Sequence, residues 1–274
     1  MLEWPFDSRG VKAQSHGGKR VEAHIYRVVR QRIVPAAIES VWRCLVDPSL
    51  LAKWFAEVDH LKLGEDFRFD FGDGDFFSGS VVAWEEPTFL RLKWRFWELG
   101  TEYEISFSLM PLDSQTEISV QDCGALTVDE AQGLREGWED FLLRLDRFLR
   151  SGEPSRYEWN YEIGTAILLT DLEPSLHSLL LNLDWWKTAF PGVELSSPAK
   201  TATEITLRFS EKDWGGQETE AILTLHKIGQ CTYVAFTHKG WVKLPPDKQL
   251  PEREKFAGYW AKALRWLEQN YKSY

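Results

Sequence analysis

The chain has 274 residues, with 32 Lys plus Arg against 42 Asp plus Glu, so its formal net charge is −10. This length corresponds to one or two domains. The acidic balance argues against a nucleic-acid-binding protein, which needs cations to displace phosphate counterions, and no apolar run reaches the roughly 20 residues of a membrane span. The unusual feature is 14 Trp, 16 Phe and 8 Tyr, more rings than one compact core normally needs.

The first residues are acidic and contain a proline where a secretory signal would be apolar, so we expect a cytoplasmic protein. Residues 1–21 are predicted to be a flexible extension. Cys44, Cys123 and Cys231 are isolated, which argues against redox and zinc-ribbon motifs. The six histidines lack metal-site spacing, so no metal and no cofactor is predicted.

In the first half, a predicted strand from His24 to Val34 precedes two short helices. Asp47 and Pro48 fit an N-cap and first position for the second helix. Alternating apolar residues then predict five antiparallel strands with one apolar face, and Asp73-Gly74 marks the first hairpin. These strand-like runs begin at Phe67, Phe76, Leu90, Tyr103 and Ile118.

A long helix is predicted to close this half. Thr127 and Glu130 fit a capping box, and Gly152 followed by Pro154 marks the end of the helix. Gly133 and Gly137 lie inside the helix, where each costs about 1 kcal/mol relative to Ala. They predict a kink or a close approach to the sheet.

The second half repeats this order with fewer strands. Trp138, Leu142, Leu145 and Leu149 are each followed 122 residues later by Trp260, Leu264, Leu267 and Tyr271. Further strands are predicted at Glu204–Phe209, Glu220–His226 and Thr232–Thr237, and Pro251 is predicted to open the last helix. The second copy is therefore predicted to have lost one or two strands and to pack against the first.

Two stretches of the first half carry a family resemblance. The segment from Val34-Pro35 through Trp42 to Asp47-Pro48, with Trp54-Phe55, and the segment Gly79–Pro87 resemble the START-like (SRPBCC) superfamily. Within it they are most similar to homologues of the activator of 90-kDa heat-shock-protein ATPase. The resemblance covers residues 22–150, and it covers 157–274 only in outline because the second copy lacks the Asp-Pro and the Gly-x-Val/Glu-Pro signatures.

The predicted fold class is α+β, with two tandem helix-grip domains. Each has a curved antiparallel sheet, two short helices and a long C-terminal helix. The predicted boundaries are 22–152 for the first domain and 157–274 for the second, shortened one.

A strongly curved sheet held by one helix leaves a gap that large side chains either fill or line. We therefore predict two alternatives, a solid core or an apolar cavity in the first domain for a lipid-like or aromatic molecule. The acidic first half disfavours lipid delivery at an anionic membrane. The candidate cavity residues are Trp54, Phe67, Phe69, Phe71, Phe77, Leu92, Trp94, Phe96, Tyr103, Ile105, Phe107, Trp138, Phe141, Leu142 and Leu145.

The sequence favours a non-catalytic binding protein, and two alternatives stay open. The resemblance implies a protein-interaction module that modulates a chaperone ATPase, which is an associational argument. Other helix-grip proteins are cyclases or hydrolases, and for that role Tyr103 and Asp122 are the nearest candidates. His226 and His238 are interpreted as solvated strand residues rather than an acid–base pair. The oligomeric state is left open.

The acidic turn that follows the predicted strand at Phe67 imitates two known motifs. Asp70-Phe71-Gly72 copies a kinase triplet without the accompanying kinase motifs. Asp70, Asp73 and Asp75 suggest a calcium loop, but Phe77 occupies a ligand position. A hairpin is therefore predicted here, with no catalytic and no metal residues.

Overall fold

The computed structural model describes residues 25–100, 102–125, 127–170, 175–201, 203–228 and 231–271. The predicted flexible extension lies outside these residues. The described chain forms two units, each with one antiparallel sheet and one long helix. We name them the N-terminal unit, Tyr26–Ser151, and the C-terminal unit, Ile163–Asn270.

The N-terminal unit has a six-stranded sheet in the order β1-β6-β5-β4-β3-β2, with its long helix against one face. Neighbouring strands are antiparallel throughout. The sheet order follows from the chain order, because four consecutive hairpins join β2 to β6 and β1 pairs with the last strand. Its elements are β1 (Tyr26–Val34), α1 (Ile38–Val46), α2 (Pro48–Trp54), β2 (Asp66–Asp70), β3 (Phe76–Glu85), β4 (Phe89–Phe96), β5 (Tyr103–Leu112), β6 (Gln115–Ala125) and α3 (Val128–Ser151).

Local signals in the sequence set the helix ends of this unit. Asp47 accepts a hydrogen bond from the backbone N–H of Ser49 and so caps α2. Thr127 accepts one from the backbone N–H of Glu130 and caps α3. Gly152 ends α3 with a φ of 73°, a left-handed conformation that glycine adopts at little cost.

The C-terminal unit has a five-stranded sheet in the order β7-β11-β10-β9-β8. This is the order of the first sheet without the counterpart of β2, so the second copy has one strand fewer. Its elements are β7 (Ile163–Thr170), α4 (Ser175–Leu180), α5 (Leu183–Ala189), β8 (Glu194–Lys200), β9 (Glu204–Ser210), β10 (Thr219–Ile228), β11 (Cys231–Lys239) and α6 (Pro246–Asn270).

The structure differs from the sequence predictions in three places. β8 was not predicted, since its Glu-Leu-Ser-Ser-Pro-Ala-Lys sequence lacks the usual apolar alternation. The helix α6 begins at Pro246, and Pro251 lies inside it; either proline suits the first helical position, so the sequence pattern favoured the wrong one. Neither Gly133 nor Gly137 is needed for close packing, because a Cβ at either would meet nothing within 4 Å.

The loop after β4 links the two units. Trp97 and Leu99 follow strand β4 of the N-terminal unit, but their side chains lie in the hydrophobic core of the C-terminal unit. Trp97 is fully buried at a φ of 52°, a left-handed conformation that is unfavourable for a residue with a Cβ. The indole N–H of Trp97 donates to the carbonyl of Gly74 at 3.0 Å. The backbone carbonyl of Trp97 accepts a hydrogen bond from Arg265 of α6 at 3.1 Å.

A buried ion pair joins the turn between β2 and β3 to α6. The Arg253 guanidinium is fully buried and donates to both carboxylate oxygens of Asp75. Asp73, also fully buried, has a carboxylate oxygen 3.4 Å from the same group. The carbonyls of Asn160 and Glu162 accept from Arg253 at 3.1 and 2.8 Å, so the charge is both paired and hydrogen-bonded.

The turn also needs a glycine at its closest approach to α6. Gly74 has a φ of 92°, and a Cβ there would lie 2.8 Å from the Cβ of Ala257. Asp73 and Asp75 beside it, two of the three residues that imitate a calcium loop in the sequence, therefore serve an interface between units.

Removing the buried guanidinium tests its role. We expect Arg253→Met to lower the free energy of unfolding by about 3–5 kcal/mol, because two buried carboxylates lose their partner. The matched control is Arg208→Met, whose ion pair with Glu220 is solvent-exposed and is expected to contribute no more than about 1 kcal/mol. Urea unfolding of both variants measures the difference, and equal effects would contradict the prediction.

Candidate ligand-binding cavity

A cavity of about 800 Å³ lies between the two units. One wall is formed by the sheet and α3 of the N-terminal unit. The facing wall is formed by the outer face of the second sheet, the face that points away from α6. The cavity predicted within one domain is therefore completed by the other.

Stacked aromatic rings form the N-terminal wall. The rings of Trp94 and Trp138 are parallel, with centroids 6.1 Å apart and an interplanar angle of 1°. The Phe55 ring lies at 11° to Trp94 and 9° to Trp138, with centroids 6.3 and 6.4 Å away. Phe71 and Tyr157 stack in the same way at 5.8 Å. These contacts hold the rings against each other and leave space in front of them.

The structure divides the predicted cavity residues into two groups. Those on the cavity wall are Phe71, Phe77, Trp94, Phe96, Tyr103, Trp138 and Phe141. Those in the packed core, away from the wall, are Trp54, Phe67, Phe69, Leu92, Ile105, Phe107, Leu142 and Leu145. Alternation along a strand identifies the inward face but does not tell which end of that face is filled. Trp54, on helix α2, also points into the core, where its indole N–H donates to the buried carbonyl of Cys44 at 2.9 Å.

No pattern in the sequence predicted the opposite wall. It consists of outward-pointing residues on three strands of the second sheet, most of them small or polar. These are Gly164 and Ala166 on β7, Thr224, His226 and Ile228 on β10, and Tyr233, Ala235 and Thr237 on β11; Thr165 and Phe236, which also border the cavity, pair with each other on the opposite face of the sheet. Small outward residues are the one signal that could have suggested a covered face.

Asp122 is a buried acid on the cavity wall. Its side chain is 1% exposed, and one carboxylate oxygen accepts from the Trp138 indole N–H at 2.8 Å. The other, Oδ1, is buried without a hydrogen-bond partner. Burial, together with the nearby charge of Glu130, raises the pKa of Asp122 to about 7.

Glu130 connects the two walls. Its carboxylate accepts from the hydroxyl of Tyr103 on β5 and, at 3.2 Å, from the hydroxyl of Tyr233 on β11. Burial and the charge of Glu130 raise the pKa of both tyrosines, so both remain protonated donors at neutral pH. The capping-box residue of α3 thus also holds the second sheet over the cavity.

Both glycines of α3 border the cavity. Gly133 and Gly137 lie one turn apart on the cavity wall, and open space surrounds the position of a Cβ at each. Any larger side chain on this face would occupy part of the cavity.

The two strand histidines lie on opposite faces of the second sheet. His226 is exposed and borders the cavity, whereas His238 is fully buried. The interpretation of His238 as a solvated residue was therefore wrong. The Trp260 indole N–H donates to Nδ1 of His238 at 2.9 Å, and burial lowers the pKa of the imidazole, which fits a neutral ring in the core. Among the described residues no cluster of three metal-ligating side chains occurs.

The raised pKa of Asp122 predicts a pH-dependent stability. The folded pKa of about 7 lies above the unfolded value of about 3.9. The stabilisation from the bound proton is therefore complete below about pH 4 and is lost as the pH rises through about 7. We expect the difference in melting temperature, Asp122→Asn minus wild type, to be larger at pH 8 than at pH 5. A difference that does not change with pH would contradict this assignment.

Comparison with known proteins supports the fold. Residues 35–150 match the family model described as Activator of Hsp90 ATPase homolog 1-like protein, and no curated protein matches the chain in sequence. The crystal structure of DynU16, a protein in the dynemicin biosynthetic locus, is similar with a TM-score of 0.79 and 25% identity, covering 89% of this chain and 98% of that one.

Two shorter structures match about half of this chain. CalU16 from Micromonospora echinospora has a TM-score of 0.41 and 21% identity over 46% of this chain and 77% of its own. The Aha1 dimer from Colwellia psychrerythraea has a TM-score of 0.41 and 21% identity over 46% of this chain and 98% of its own. In the part of the chain that the structure describes, no helix has the length and apolarity to cross a bilayer. On the similarity to DynU16 over 89% of its length, the chain has the helix-grip fold, and its residues 35–150 match the Activator of Hsp90 ATPase homolog 1-like family.

Proposed function

We propose that this protein binds an apolar small molecule with aromatic character in the cavity between its two units, without transforming it. The observation that carries the proposal is the cavity of about 800 Å³ in front of parallel, mutually stacked rings. Ligand pockets in proteins span about 300–1,000 Å³ and are mostly apolar with a few polar groups. This cavity has that size and composition.

The relationship to DynU16 is consistent with this proposal. That protein shares the two-unit fold over nearly its whole length and comes from a biosynthetic locus, where small molecules are made. Nothing among the described residues singles out a chaperone-binding surface, so the chaperone alternative stays a prediction from the family resemblance.

Filling the cavity tests the proposal. We expect Gly137→Leu to weaken binding of the uncharged dye Nile red at least tenfold, because the new side chain extends into open space on the cavity wall. Replacing glycine in a helix also stabilises it by about 1 kcal/mol, so the variant should melt no lower than wild type. Dye fluorescence gives the affinity.

The matched control is Gly258→Leu on the exposed side of α6, where a Cβ also meets nothing within 4 Å. It should bind the dye like wild type. Equal binding by both leucine variants would place the dye outside the cavity. If wild type takes up no dye and keeps its apo mass in native mass spectrometry after exposure to cell lipid extract, the proposed function is wrong.

A second candidate function is proton-transfer catalysis, favoured by the position of Asp122. Both sequence-predicted acid–base candidates, Tyr103 and Asp122, lie on the cavity wall, and a carboxyl with a pKa of about 7 suits a general acid or base. Native mass spectrometry of wild type and Asp122→Asn incubated with the same cell extract separates the two functions. Identical bound masses support binding alone, whereas a product mass seen only with wild type supports catalysis.

A further inference from the structure

The charged groups of the cavity wall have one sign. Four acidic residues line the wall, and no lysine or arginine does so among the described residues. Among the described residues the other titratable groups on this wall are tyrosines and His226. An anionic ligand such as a fatty acid would meet several carboxylates and no cation.

These four carboxylates differ in what they already contact. They are Asp75, Asp122, Asp129 and Glu130. Asp75 is paired with Arg253 and Glu130 with two tyrosines, while Asp129 is exposed to solvent at the start of α3. Asp122 alone combines near-complete burial with an oxygen that has no partner. A buried acceptor without a hydrogen bond is costly, and Asp122 borders the cavity, so a ligand donor that reaches this oxygen would relieve that cost.

We propose that the ligand carries a basic nitrogen that pairs with Oδ1 of Asp122, so that the cavity takes aromatic amines rather than neutral or acidic lipids. This inference rests on the proposed function and specifies its ligand class. Trp138 links the two halves of such a site, because it donates to Oδ2 of Asp122 and stacks on Trp94. The ring system of such an amine would lie against these stacked aromatic side chains.

The groups around Asp122 leave it free to respond to a cation. Tyr103 on β5 and Tyr233 on β11 both donate to Glu130 on α3. The adjacent strand β1 carries Arg30 and Arg32, which pair with carboxylates of α3: Arg30 with Glu139, and Arg32 with Glu139 and Asp146. No arginine or lysine among the described residues hydrogen-bonds to Asp122, so a ligand nitrogen would be its first cationic partner.

Three probes of nearly equal size test the inference by calorimetry. They are 1-naphthylmethylamine, 1-naphthalenemethanol and 1-naphthoic acid, which present a cation, a neutral hydroxyl and an anion on the same ring system. At pH 8 we expect the amine to bind wild type at least tenfold more tightly than the alcohol, and the acid to bind least. In Asp122→Asn the preference for the amine over the alcohol should disappear. Asp140→Asn, the same charge change on the exposed side of α3, should keep it.

A pH series on the wild-type protein provides a readout that needs no variant. Amine affinity should rise from pH 5.5 to pH 8 as Asp122 loses its proton, while alcohol affinity should change much less. Equal affinities for amine and alcohol, or tighter binding of the acid, would overturn the inference and leave Nile red binding, and thus the proposed function, intact. Failure of Nile red and of all three probes to bind would instead overturn the proposed function.

Discussion

The arrangement of the two units depends on keeping one buried guanidinium paired. Arg253 lies in α6, the helix that packs on the second sheet, while Asp73 and Asp75 lie in a turn of the first sheet. A buried charge without its partners is far more costly than any exposed ion pair, so the turn and the helix must meet. Once they meet, the outer face of the second sheet is held over the ring-lined opening of the first unit. The cavity is thus a consequence of the interface.

The high aromatic content has two different uses. In the C-terminal unit the rings fill the space between sheet and helix, as the stacked pair Phe236 and Trp260 shows, with centroids 4.0 Å apart. In the N-terminal unit similar rings stack on each other along one side and leave a space open on the other. The contrast explains why a repeated sequence pattern produces a solid core in one copy and a cavity beside the other. In the first copy, α3 places Gly133 and Gly137 where side chains could fill the gap.

Much of the fold could be predicted from local patterns, and the site only in part. Alternation gave the strands of the first sheet, caps at Asp47 and Thr127 gave helix starts, and a constant offset from Trp138 to Trp260 revealed the repeat. The pairing of Asp75 with Arg253 could not be predicted, because 178 residues separate them and neither carries a local signal of its partner. For the same reason the outward residues of the second sheet looked like a solvated surface. His238 was misassigned because strand alternation near a hairpin end does not fix which face is covered.

Trp97 gives this architecture a thermodynamic and an evolutionary consequence. Its backbone belongs to one repeat and its ring to the core of the other, so unfolding the first repeat would withdraw a packed ring from the second core. We expect such a molecule to unfold as one cooperative unit, with a calorimetric enthalpy equal to the van't Hoff enthalpy, although its sequence records two copies. Exchanging either copy alone would leave this ring without its packing partners, so substitutions on one side of the shared ring constrain those on the other.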